Sequence, residues 1–325
     1  MSSMTSAVNS GPGFSQLVAA VRDVYSQEIY FSAMPNLRFD QFATRKDELT
    51  GQPGATIVLP KMGTIKRGGT LTEGVRIQGK SMSMSTTTIT VAEKGNAILM
   101  TERLLQTSFY DNMAAASMLL GRDFALVNDT DLRDIALTAT NKVYAGKKAA
   151  RTDLVGGDTA DTTFLMDIGE KLEINSSPKW GNDFYVSFFH PHGLAKLRQS
   201  VGWVNAAHYQ GATPLFYGEA GRWNDIRFVS TSMMPNGFNS ALNDAGEFAD
   251  PGYVAALANG TAGNQTTIYQ CVTFGEYSYG QGNALNVELR DNGVQDYGRE
   301  HGLAWYAIWG QGLLENNNLV VGEHA

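Results

Sequence analysis

The sequence describes an α+β protein, and three stretches carry that reading. Thr107 to Ala145 contains no proline and a single glycine, Gly121, so it reads as one long helix. Before it, two β-branched strands flank a glycine-rich hairpin that has no apolar pattern of its own. After it, from Thr162, helix-period and strand-period segments alternate as in a small α/β domain.

In chain order, residues 1–13 are rich in Ser, Asn and Gly and read as an arm. Phe14 to Met34 carries Leu17, Val21, Val24, Ile29 and Tyr30 at helical spacing, and Pro35 stops it. Residues 1–35 are therefore an N-terminal arm and helix. Gly51, Pro53 and Gly54 then mark a turn into an extended region, residues 55–92. Thr86, Thr88 and Thr90 alternate with Thr87, Ile89 and Val91, a strand signal, and Ile57, Val58 and Leu59 supply the opposing strand. Between them Gly63, Gly68, Gly69, Gly74 and Gly79 are interspersed with Ile65, Leu71, Val75 and Ile77 and with charged residues. A two-stranded ribbon without a core is marginal in water, so such an arm is expected to lie on a neighbour.

The long helix carries Phe109, Met113, Ala116, Leu120, Phe124, Val127, Ile135 and Ala139 as one apolar stripe. Thr107 or Ser108 is the expected N-cap, Lys142 falls in the last turn and Gly146 follows as the stop. At 1.5 Å per residue it would span about 58 Å, the length of a spine. Asp129, Asp131 and Asp134 lack a His or Glu at ligand spacing and read as a solvated acidic face. Gly121 is expected to mark a bend or a close backbone contact. The basic cluster Lys147, Lys148 and Arg151 complements the end of a helix, or meets phosphates.

In the second unit, Phe164, Leu165, Ile168 and Leu172 define a helix, Phe184 to Phe189 a buried strand, and Pro191 to Ser200 a helix with proline in its first turn. Ile226 to Ser230 and Ile268 to Phe274 add strands, and residues 232–267 form a Gly- and Asn-rich surface excursion. The tail carries Trp305, Tyr306 and Trp309, large enough to dominate a local core.

Chemistry is scarce. At 325 residues the chain can build two domains, and 43% hydrophobic content excludes a disordered protein. A net charge of −7 argues against a protein that wraps nucleic acid on a basic surface. Cys271 is the only cysteine, which excludes an internal disulfide and a four-cysteine zinc site. No run of eighteen apolar residues occurs and the first residues lack signal-peptide order, so a reducing cytoplasm is the expected place of synthesis. His190 and His192 lack further ligands, and His190 reads as a helix cap. Gly310-Gln-Gly312 starts like a dinucleotide loop but lacks the third glycine. With no nucleophile elbow, zinc-protease motif or phosphate loop, neither catalysis nor a cofactor is expected.

The order of arm, hairpin, spine helix, α/β unit and returning tail resembles the major capsid proteins of tailed bacteriophages, with the Hong Kong ninety-seven-like shell fold. Leu71-Thr-Glu-Gly-Val75, Phe189-His-Pro191, Trp203 and Tyr297-Gly298 are similar to a family of such proteins from short-tailed phages and related prophages, over roughly residues 15–315. The resemblance implies a shell-forming homo-oligomer of pentamers and hexamers, found in the virion and assembled in the host bacterial cytoplasm. It implies a portal partner, either separate scaffolding or decoration proteins or none, weak and non-specific contact with packaged DNA, and no membrane. It makes the hairpin an extended loop lying over an adjacent subunit, with Lys66, Arg67, Leu71, Glu73, Val75, Arg76 and Lys80 in intersubunit contact. It assigns residues 162–285 to an axial domain, and 36–54, 93–161 and 286–325 to a peripheral domain. Some relatives carry a cleavable scaffolding segment before the arm, which this chain is not expected to have. Others join a hairpin lysine to a neighbour's asparagine, for which Lys61, Lys66, Lys80 and Asn316 to Asn318 are the candidates here. An encapsulin-like compartment, a tail-tube subunit and an α/β enzyme are the alternatives.

Overall fold

A computed structural model describes residues 38–47, 54–63, 65–77, 79–108, 110–181, 183–199, 203–205, 218–234, 258–259 and 266–325. The expected arm and first helix, Gly51, Pro53, Phe109 and most of the excursion at 232–267 lie outside the described residues. A 3-10 turn at Asp40–Phe42 leads into β1 (Thr44–Lys46), followed by β2 (Thr56–Met62), β3 (Met84–Thr90) and β4 (Ala92–Thr101). Two helices come next, α1 (Glu102–Thr107) and α2 (Asn112–Leu137), then β5 (Lys142–Tyr144) and α3 (Thr162–Ile174). The chain continues through β6 (Tyr185–Phe189), α4 (Pro191–Leu197), β7 (Val204–Asn205), β8 (Glu219–Trp223) and β9 (Ile226–Ser230). The short β10 (Ala258–Asn259) and β11 (Thr266–Thr267) precede β12 (Tyr269–Phe274), and the tail forms β13 (Tyr279–Gln295), β14 (Glu300–Leu313) and β15 (Leu319–His324).

Two sheets organise these elements. One is four-stranded, in the order β1-β13-β14-β4; the other is seven-stranded, in the order β5-β15-β12-β6-β9-β8-β7. The second is covered on both faces, which explains why Tyr185 to Phe189 is buried at every position and apolar at all but Ser187. Tyr185 and Phe189 pack with Phe164, Ile168 and Leu194 of α3 and α4. Val186 and Phe188 face the other way, onto Phe39, Phe42, Leu132 and Ala136. Each fully buried phenylalanine here contributes about 2 to 3 kcal/mol of transfer free energy.

The helix α2 ties the two sheets together. Ala116 and Leu120, with Met113, Phe124 and Val127, meet Leu303, Trp305 and Trp309 of the four-stranded sheet, as the stripe predicts. Its last turns bury Leu132 and Ala136 against the second sheet. The expected single helix is shorter than its stripe, 26 residues and about 39 Å. Its N-cap is Asp111, whose carboxylate accepts the Ala114 N–H, and a separate α1 is capped by Thr101. Short polar side chains at Ser108 and Asp111 take over backbone N–H groups and break the run. At the other end Lys142 does not close a helix; it opens β5, which pairs in parallel with β15. Gly121 remains inside α2 and is exposed, and a Cβ added there would meet no atom of its own subunit within 4 Å.

Three further expectations need correction. Residues 142–144 and 319–324, expected in the peripheral domain, lie in the seven-stranded sheet, because an uninterrupted Leu-Val-Val run is suited to a strand buried on both faces. Tyr279 to Leu285, assigned to the second unit, is instead the start of β13 in the four-stranded sheet. Lys147, Lys148 and Arg151 do not complement a helix end, since α2 stops at Leu137. Arg151 instead forks onto the buried carboxylate of Glu323, with Nε 2.6 Å from Oε2. Burial alone would raise the Glu323 pKa; hydrogen bonds from Arg151 and Gln270 outweigh it and hold the carboxyl below its ordinary range.

Asp129 departs furthest from the acidic-face reading. It is 1% exposed, and its carboxylate accepts the backbone N–H groups of Phe39 at 2.7 Å and of Arg38 and Asp40 at 3.1 Å. Asp131 pairs with Lys94 and Asp134 with Arg133.

Candidate intersubunit surface

The hairpin arm is built as its β-branched pattern predicts. β2 and β3 pair antiparallel from Thr56 opposite Thr90 to Met62 opposite Met84, with Ile57 facing Ile89. Those two isoleucines are the only buried residues among the described residues of the ribbon, and they rest on the four-stranded sheet beside Ala284 and Leu314. The sheet is cleared for them by glycines. A Cβ at Gly282 would overlap Ile57, one at Gly312 would press on Ile89, and one at Gly310 would fall on the Thr90 carbonyl. Lys61 then pairs with Glu315 at the rim of the seat.

Beyond the seat, no described residue of the same subunit covers the arm. Met62, Ile65, Leu71, Val75, Ile77, Met82 and Met84 are each 57% exposed or more. The end of the arm is a turn closed by the Val75 N–H on the Thr72 carbonyl at 3.2 Å, with Gly74 at φ 81°, where a side chain would be strained. Leu71-Thr-Glu-Gly-Val75 is therefore the tip. Lys66, Arg67, Leu71, Glu73, Val75, Arg76 and Lys80 are all exposed, and Lys80 Nζ braces the loop by donating to the carbonyls of Lys66 and Arg67 at 3.0 and 2.6 Å. Leaving so much apolar surface on a protrusion is costly unless a partner covers it.

The other sequence-singled residues have local roles. His190 caps α4, its Nδ1 accepting the His192 N–H at 3.2 Å. His192, Tyr269 and His324 stack in a column whose far side is Phe189. Burial pushes the imidazoles of His190 and His324 down to about 4. Trp203 packs on Phe228 with ring centroids 5.1 Å apart. Tyr297 stands fully exposed on the hairpin between β13 and β14, where Asp296, Tyr297 and Gly298 all have positive φ. Asn316 binds Thr140 through its side-chain amide, and Asn318 donates to the Glu276 carbonyl, so both hold the turn before β15. Cys271 is buried, which raises its thiol pKa. Among the described residues no cluster of three or more His, Cys, Asp or Glu is placed to hold a metal ion, and no helix is long and apolar enough to cross a membrane.

Comparison with known proteins places this geometry in context. A family model described as phage capsid protein matches residues 170–300. The fold is similar to the capsid of Ralstonia phage GP4, with a TM-score of 0.72 and 16% identity over 93% of this chain and 94% of that one. It is similar to the capsid protein of cyanophage Pam1, with a TM-score of 0.72 and 15% identity over 94% and 97% of the two chains. The capsid of cyanophage P-SCSP1u gives 0.68 and 15% over 98% and 96%. No curated protein matches in sequence. At these identities the likeness establishes the α+β, Hong Kong ninety-seven-like fold.

Proposed function

We infer that this chain is a major capsid protein, whose copies assemble into the icosahedral shell that encloses phage DNA. The observation that carries this reading is the arm: a ribbon seated on its own sheet at the base and bare of cover beyond, on a chain whose fold matches phage capsids nearly end to end. Its role is structural, exercised through many repeated contacts. Modest single contacts are enough when each subunit makes several.

In this reading Lys66, Arg67, Leu71, Glu73, Val75, Arg76 and Lys80 lie on a neighbouring subunit. The seven-stranded sheet with α3 and α4 is the axial part, and the four-stranded sheet with α2 is the peripheral part. Pentamers and hexamers form around the axial parts. The protein acts in the virion after assembly in the host cytoplasm, with a portal and separate scaffolding or decoration proteins as partners. Its net charge of −7 suits weak, non-specific contact with packaged DNA. Electron microscopy of the purified protein tests the reading. Closed shells are expected; tubes or small compact oligomers alone would overturn it, and shells filled with a cargo protein instead of DNA would favour a compartment.

A further inference from the structure

One imidazole is fully enclosed beside the seven-stranded sheet. His324, at the end of β15, is 1% exposed, and its Nε2 is buried without a hydrogen-bond partner among the described residues. Four elements close around the ring. Phe164 of α3 meets it edge-on with centroids 6.0 Å apart, Phe189 of β6 stacks at 5.9 Å and Tyr269 of β12 at 5.6 Å. The fourth side is α4, which approaches so closely at Gly193 that a Cβ there would stand 2.6 Å from Cε1 and 2.7 Å from Nε2. The ring is thus packed against bare helix backbone.

The charges around it are one-sided. His192, Lys196 and His190 are the side chains whose charge acts on His324, and all three belong to α4 or its cap. From α3 and β6 the facing groups are phenylalanines, and from β12 it is Tyr269, whose hydroxyl burial keeps protonated. Glu323, next along β15, points to the other face, onto Arg151 and Gln270. An imidazolium here would be favoured only by the Ala325 carbonyl, 3.5 Å from Nδ1.

We propose that α4 is an acid-operated cover, which protonation of His324 releases from the seven-stranded sheet while the strands beneath it stay paired. Three observations single out α4 as the element that yields. It is the weakest neighbour: seven residues do not persist as a helix on their own, and it is held through Leu194 and Leu197, whereas β15 pairs with β12 over six positions and α3 has thirteen residues. The repulsion from a charged His324 falls on α4 alone. Acid also removes its cap, because His190 Nδ1 accepts the His192 N–H at 3.2 Å and a protonated ring has no acceptor left.

The direction follows from burial, which holds the His190 and His324 imidazoles down at about 4. A released ring returns toward its ordinary value near 6.5, so the open form binds the proton more tightly. Closure is fully favoured above pH ~6.5 and loses its advantage as pH falls toward 4. Through His324 alone, the opening equilibrium should rise about 100-fold between pH 7 and 4. The device depends on the fold and goes beyond the shell reading; in a shell it would make the axial part acid-sensitive.

The test is hydrogen exchange of the full chain between pH 7 and 4, read by mass spectrometry and corrected for the intrinsic pH dependence of the rates. Peptides within residues 190–199 should lose protection by about 100-fold, while those of 185–189 and 269–274 keep theirs. His324→Phe should abolish most of that loss, and His324→Gln takes its place should the first variant not fold. Equal loss across the strands would show that acid unfolds the sheet as a whole, and would overturn the proposal. So would an α4 that stays protected at pH 4, or an undiminished loss in the His324 variant that folds.

Discussion

Gln281 and Gln311 lie opposite each other on β13 and β14, with Gln311 Nε2 donating to Gln281 Oε1 at 3.4 Å and to Asn128 Oδ1 of the spine helix at 3.1 Å. Each glutamine is flanked by glycines, and the two Gly-Gln-Gly tripeptides pair in register, Gly280 with Gly312 and Gly282 with Gly310. Strand alternation then assigns the faces. Both glutamines point to the helix, and the glycine side becomes the seat of the arm.

Gly310→Ala should unseat the arm. The added methyl would fall on the Thr90 carbonyl, which is backbone and cannot turn aside, so a cost of about 1 to 3 kcal/mol is expected. Gly282→Ala meets only the tip of Ile57, which can change rotamer, and should cost less. Limited proteolysis within residues 55–92, alongside denaturant melts, would check the order. Equal sensitivity of the two variants would refute it.

Asp129 predicts a pH dependence. Burial pushes its pKa up to about 6, against the pull of the Arg38, Phe39 and Asp40 N–H groups and with help from the Asp40 charge. Its folded pKa lies above the unfolded value near 4, so the folded chain binds the proton more tightly between the two. The contribution is therefore full below pH ~4 and lost as pH rises through about 6. Wild type should lose about 2 to 3 kcal/mol relative to Asp129→Asn across that window, measured by urea unfolding. A flat difference would contradict the assignment.

The histidine column predicts the opposite slope. His324 lies between Phe189 and Tyr269, its pKa lowered to about 4 mainly by burial and secondarily by the nearby charges of His192, Lys196 and His190. With the folded pKa below the unfolded one, its stabilisation is complete above pH ~6.5 and is lost as pH falls toward 4. About 3 kcal/mol is at stake at His324, and less at the more exposed His190. His324→Phe keeps a neutral ring in the stack and should flatten the acid limb of the unfolding profile. Persistence of the full slope in that variant would place the titration elsewhere.

What was legible in the chain follows from how local each signal is. The threonine alternation at Thr86 to Thr90 and the apolar Tyr185 to Phe189 report their own burial, and both strands form where expected. The destination of a strand is not local. Leu319 to Val321 says only that it is buried, and its place between β5 and β12 depends on partners far away in sequence. Asp129 looked like surface because the N–H groups that bind it come from about ninety residues earlier. For the candidate site, exposure of the arm could be read from its missing core, but its seat could not. The signal was present as a repeated Gly-Gln-Gly, which has meaning only once the two copies are known to pair.

The arm separates folding from assembly, which gives the last prediction. Ile57 and Ile89 hold the ribbon's base, while Ile65, Leu71, Val75 and Ile77 contribute nothing to a core of their own subunit. Replacing Gly63 to Gly79 with a short Gly-Ser turn therefore removes exposed surface and leaves both β2 and β3 in place. Thermal and urea unfolding should change by less than about 1 kcal/mol, since surface changes away from packed groups are usually small. Shell formation should be lost. Normal shells in electron micrographs of this variant would show that the arm is dispensable, whereas a subunit that no longer unfolds cooperatively would show that the arm is part of the fold.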